Sequence, residues 1–76
     1  MIDTKLVSRN PQIMSGAPVF AGTRVLVQTL FDYLEGGDPL AEFLEDFPTV
    51  SRDHAIAVLE RSKGLLLSQL DAPPAR

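Results

Sequence analysis

The chain predicts a mainly α domain in which a short N-terminal β-ribbon precedes three helices. Three observations carry that prediction. Two glycines frame a short apolar stretch, Gly16-Ala-Pro-Val-Phe-Ala-Gly-Thr-Arg24. The apolar period changes at Val27 from strand-like to helical. Two stop-and-start clusters follow, Gly36-Gly37-Asp38-Pro39 and Phe47-Pro48-Thr49-Val50-Ser51.

Residues Lys5-Leu-Val-Ser-Arg9 are short and extended in character, and Asn10-Pro11 ends them as a turn, so they read as an edge strand. Val19-Phe20 and Val25-Leu26-Val27 are β-branched or aromatic stretches separated by Ala21-Gly22-Thr23-Arg24, the composition of a tight hairpin. Gly16 and Gly22 mark sharp turns, because glycine takes positive φ without a Cβ penalty, and Pro18 fixes the entry. Strands this short depend on packing against helices for their stability.

The first helix starts at Val27, with Val27, Leu30, Phe31 and Leu34 on one stripe, and Gly36-Gly37 stops it. Asp38 then offers an N-cap oxygen and Pro39 the preset φ of a first helical position. Leu40, Phe43, Leu44 and Phe47 give the second helix its apolar stripe, and Pro48 forbids extension. Ser51 reads as the N-cap of a third helix, with Asp53 near the positive end of its dipole. Its core positions are Ala55, Val58 and Leu59, with Ser62 at the margin.

Two readings fit the end of the third helix. Lys63-Gly64 has the form of a C-terminal stop, a cation followed by a C′ glycine. Alternatively the helix runs through Gly64 at a cost of about 1 kcal/mol relative to alanine. A continuous helix spreads Ala55, Ile56, Val58, Leu59, Leu65, Leu66, Leu67 and Leu70 over an arc of about 200°, wider than one small domain covers. Leu65, Leu66, Leu67 and Leu70 then form a dimer or partner contact; the competing reading has them close the domain's own core. Asp71-Ala-Pro-Pro-Ala-Arg76 reads as a flexible tail. The expected organisation is a single domain over residues 1–64, with its β-hairpin at about 5–27, and a partner-binding segment with tail over 65–76.

At 76 residues the chain is near the small end of what folds alone, burying only about 60% of its unfolded surface, so a dimer or another partner is expected. Its 45% hydrophobic content excludes a disordered chain. Without cysteine there is neither a disulfide framework nor a thiolate metal site, and a reducing, cytoplasmic setting follows. No apolar run approaches the roughly 20 residues that span a bilayer, and Met1-Ile-Asp-Thr-Lys5 lacks the basic and apolar regions of a signal peptide. The net charge of −3 is concentrated: Asp32, Glu35, Asp38, Glu42, Glu45 and Asp46 lie in a block free of Lys and Arg. Such a block is a solvated helix surface or a docking face for a basic partner.

The second helix, the Phe47-Pro48-Thr49-Val50 turn and the third helix have helix-turn-helix lengths. In a major groove, Arg52, Asp53 and His54 would meet base edges while Arg61 and Lys63 reach phosphates. Glu42, Glu45 and Asp46 oppose this by carrying negative charge toward the backbone, so a single chain is expected to bind operator DNA weakly. Catalysis finds no foothold: His54 is the only histidine, and one imidazole without partners forms neither a metal site nor an acid–base pair. Gly16 and Gly22 lack the spacing of a phosphate loop. No enzyme activity, cofactor or metal is expected.

The order Pro11-x-Ile13-x-x-Gly16-x-Pro18-Val19-x-x-Gly22-Thr23-Arg24-Val25, then Gly37, then Phe43-Leu-Glu-Asp-Phe-Pro48 and a helix from Ser51, closely resembles domain-of-unknown-function family 433 over roughly residues 5–62. That family is similar to VapB-type antitoxins. The resemblance implies a homeodomain-like helix-turn-helix fold with a ribbon flank. It also implies an antitoxin of a type II toxin-antitoxin system, which neutralises a PIN-like ribonuclease encoded nearby and regulates its own operon as a DNA-binding homodimer. Carried over by position, Gly16, Pro18, Gly22, Thr23 and Arg24 match the family's hairpin, and Asp46, Phe47 and Pro48 its interhelical turn; both sets read as structural. Arg24 is expected to bond Asp46 or the turn's carbonyls. Leu26 departs from the proline usual there. Toxin binding is assigned to Leu65, Leu66, Leu67, Leu70 and the tail's Arg76, and DNA binding to Arg52, His54, Arg61 and Lys63. The alternatives are a stand-alone transcriptional regulator without a toxin and a purely structural oligomerisation domain.

Overall fold

A computed structural model describes residues 5–70, as far as the backbone of Leu70. Strands β1 (Val7–Ser8) and β2 (Val19–Phe20) are followed by helices α1 (Val27–Glu35), α2 (Leu40–Asp46) and α3 (Arg52–Leu70). The predicted class is the observed one: mainly helical, with a short N-terminal ribbon.

The ribbon differs in detail from the expected hairpin. β1 pairs antiparallel with β2, in register Val7↔Phe20 and Ser8↔Val19, so the edge strand supplies the ladder. The 25–27 arm shrinks to one bridge, Val19↔Leu26, because Val27 already opens α1. Thr23 closes the intervening turn: its hydroxyl donates to Phe20 O at 2.8 Å and accepts from Val25 N at 3.0 Å. Gly22 sits there at φ 80°. Before β2, Met14, Ser15 and Gly16 all take positive φ (52°, 58° and 84°), a single left-handed turn that glycine tolerates and Met and Ser resist. Arg9 Nε fastens it by donating to Gly16 O at 2.8 Å.

α1 ends in a Schellman closure, in which Gly37 N donates to Leu34 O at 3.1 Å and Asp38 N to Tyr33 O at 2.9 Å. Asp38 does not cap α2. Pro39 holds φ −74° and ψ 155°, so the helix starts one residue later than expected, at Leu40, with no side-chain cap. The Asp38 amide is already engaged in closing α1. Ser51 does cap α3, accepting from His54 N at 3.1 Å.

The core holds Phe20, Leu30, Phe43, Val50, Ala55 and Val58, all at most 2% exposed, and Val19 is equally buried. Val25, Val27, Leu34, Leu40, Leu44, Phe47 and Leu59 pack around them half-buried. Aromatic rings form the centre. Phe43 lies 5.8 Å from Phe20, 5.1 Å from Phe47 and 5.5 Å from Tyr33, the last edge to face.

At Lys63-Gly64 the helix continues, and α3 reaches Leu70. Lys63 serves instead in an i,i+3 ion pair, its Nζ 3.1 Å from Glu60 Oε1. Beyond Ser62, every described side chain is exposed. The last turns of α3 therefore extend past the buried core, with their side chains largely in solvent.

Candidate partner-binding site

The exposed end of α3 carries Leu65, Leu66 and Leu67, which are 43%, 61% and 52% exposed. A helical turn gains little in water by itself, because most helix stability in proteins comes from burying an apolar face. Leaving three consecutive leucines in solvent forfeits that gain. Leu65 is the least exposed of the three, and it edges a small apolar groove of about 110 Å³ with Leu6, Val7, Val27, Val58 and Arg61. The side chain of Leu70, all of Arg76 and the tail from Asp71 lie outside the described residues.

The residues assigned to DNA fall apart into different environments. Arg52 is exposed at the first position of α3, and Arg61 and Lys63 are exposed further along, Lys63 in its pair with Glu60. His54 turns inward. It is half-buried, its Nε2 lies 2.8 Å from Leu6 O, and its ring stands edge to face on Phe20 at 5.2 Å. A carbonyl only accepts, so Nε2 carries the proton in this bond. His54 therefore fastens α3 to the chain just before β1, and its assignment to base contact is corrected. The physical reason is its placement one turn before Val58, on the side of α3 that faces the ribbon.

The hairpin motif divides similarly. Gly16 and Gly22 occupy turns, Pro18 O accepts from Val27 N at 3.1 Å, and Thr23 bonds the turn. Arg24 does not reach Asp46. It is exposed, and among the described residues it makes no hydrogen bond or ion pair. Asp46 Oδ2 instead accepts from Tyr33 Oη at 2.7 Å, tying α1 to the end of α2. That bond pushes the Tyr33 phenol up to about 12, with partial burial and the charges of Asp46, Asp38 and Glu42 adding in the same direction. Phe47 is half-buried against Tyr33 and Phe43, and Pro48 is exposed in the turn.

Arg24 lies instead on an open cleft of about 640 Å³ between ribbon and interhelical turn, with Ser8, Met14, Leu26, Thr29 and Phe47. Its lining offers one cation, several hydroxyls and no carboxylate or imidazole. Among the described residues no group of three His, Cys, Asp or Glu could hold a metal ion. The acidic block is solvent-facing throughout, with all six carboxylates exposed. No helix among the described residues is long and apolar enough to cross a membrane.

Residues 7–60 match the model of the protein family described as Protein of unknown function (DUF433). The match covers more than half of the chain, and the chain belongs to that family. No curated protein and no solved structure matches it.

Proposed function

We propose that this DUF433 member is a non-catalytic binding module, the antitoxin of a type II toxin-antitoxin pair. Its C-terminal segment from Leu65 onward engages and neutralises a PIN-like nuclease encoded beside it in the cytoplasm. The observation that supports this reading is the run Leu65, Leu66 and Leu67, held exposed on helix beyond the core, where only a partner can cover it. The resemblance to VapB-type antitoxins supplies the class of partner. A PIN-like active site is built from metal-binding carboxylates, so steric blockage by an apolar helix, or insertion of Arg76, would silence it.

Autoregulation through operator DNA belongs to the same reading, as a property of the dimer or of the complex with the toxin. Arg52, Arg61 and Lys63 are the cations of α3 assigned to it, Lys63 already paired with Glu60, and the exposed Glu42, Glu45 and Asp46 limit what one chain achieves.

Copurification tests the reading. The tagged chain, expressed with its chromosomal neighbours, should bring down a small nuclease in a stoichiometric complex. A neighbourhood without such a gene, or a nuclease that fails to copurify, overturns it.

A further inference from the structure

The exposed apolar residues of α3 fall on two faces. Leu65 continues the inward side, one turn past Arg61 and Ser62 and two past Val58, and edges the groove with Leu6 and Val27. A different stripe runs through Ile56, Leu59, Lys63 and Leu66 to position 70, spaced 3, 4, 3 and 4 residues apart. That spacing is the a/d seam of a coiled coil over two heptads. Ile56 is 37% exposed and Leu66 61%, and Leu59 is half-buried. Leu67 flanks the seam, also exposed.

We propose that this stripe binds a second copy of the chain, with the two α3 helices packed antiparallel about a two-fold axis near residue 61. The occupant follows from self-complementarity. α3 runs from Arg52 to Leu70, so residue 61 is its midpoint, and full overlap of two antiparallel α3 helices sets Ile56 opposite Leu66 and Leu59 opposite Lys63. Those are a-to-d layers, so complete overlap and correct seam packing coincide in one register. The two-fold repeats each layer on the other side of the axis.

Charge selects the same orientation. The carboxylate of Glu60 is already 3.1 Å from Lys63 of its own chain. In the antiparallel register it also stands about 1.5 Å along the axis from Lys63 of the second copy, which closes a four-charge ring. A parallel pair would set Lys63 against Lys63 in the seam. A single charged a position of this kind fixes orientation and register. Leu65 stays outside the seam, so the pairing leaves it for other contacts.

The inference concerns the oligomeric state alone and is read without any nuclease. By light scattering after size exclusion, the full chain should have twice the 8.3 kDa of one copy, and Leu66→Asp should return it to one with its far-ultraviolet helix signal largely kept. The chain has no cysteine, so orientation can be read by oxidation. Ile56→Cys together with Leu66→Cys should cross-link the dimer, while Ile56→Cys alone should not. A monomeric full chain, a dimer that survives Leu66→Asp, or cross-linking by Ile56→Cys alone overturns the proposal. A monomer that still captures the nuclease would overturn it while leaving the antitoxin reading standing.

Discussion

Tyr33 Oη donates a 2.7 Å hydrogen bond to Asp46 Oδ2, across 13 residues of sequence, and so joins the last turn of α1 to the last residue of α2. Tyr33 is the only tyrosine, so phenolate absorbance reads this bond directly. The phenol should titrate near 12, and in Asp46→Asn it should fall back toward the ordinary value of 10.0. A folded-state value above the unfolded one means that the bond's stabilisation is fully present below pH 10 and is lost as pH rises through 12. An unchanged midpoint in Asp46→Asn would contradict the assignment.

His54 joins α3 to Leu6 and to Phe20, so His54→Ala should destabilise the fold by about 1–3 kcal/mol, the value of a half-buried hydrogen bond plus an aromatic contact. A lowered urea midpoint is the expected result. A variant as stable as the wild type but impaired in DNA binding would restore His54 to an outward role.

Alanine at two glycines should act with opposite signs. A Cβ at Gly22 would meet nothing within 4 Å, yet its φ of 80° disfavours any side chain, so Gly22→Ala should cost about 1 kcal/mol. Gly64 lies inside α3 with equally open surroundings, and Gly64→Ala should stabilise by about 0.5–1 kcal/mol through helix propensity. Thermal midpoints of the two variants, compared with wild type, check both signs.

Duplex DNA should be bound weakly by the chain alone. With Arg52, Arg61 and Lys63 as the cations of α3 assigned to DNA, the slope of log K against log salt should not exceed about 3 per protomer. Tight binding at physiological salt, or a much steeper slope, would show a basic surface that these residues do not supply.

What the sequence made legible was local. The 3,4 spacing of Val27, Leu30, Phe31 and Leu34 and the glycines after it define α1, and Ser51 marks the start of α3, because such signals act within one or two turns. The start of α2 was displaced by one residue, since Pro39 keeps the φ of a helix but an extended ψ of 155° and so stands before the helix rather than in it. Tyr33 paired with Asp46 where Arg24 was expected, a choice made by the packing of α1 on α2 rather than by any spacing in the chain. His54 had a usable signal, its place one turn before Val58 on the buried side of α3. The left-handed turn at Met14 and Ser15 had none, as neither residue favours it. At the candidate site, the leucines were visible as an excess of apolar surface; only the continuous helix separates Leu65 from Leu66 by face.

The most direct test of the antitoxin reading is a titration of the neighbouring nuclease's activity on RNA with this protein. Full inhibition is expected at stoichiometric full-length chain, with activity retained when the added chain ends at Gly64. Undiminished nuclease activity at excess full-length chain, or equal inhibition by the shortened one, would contradict it.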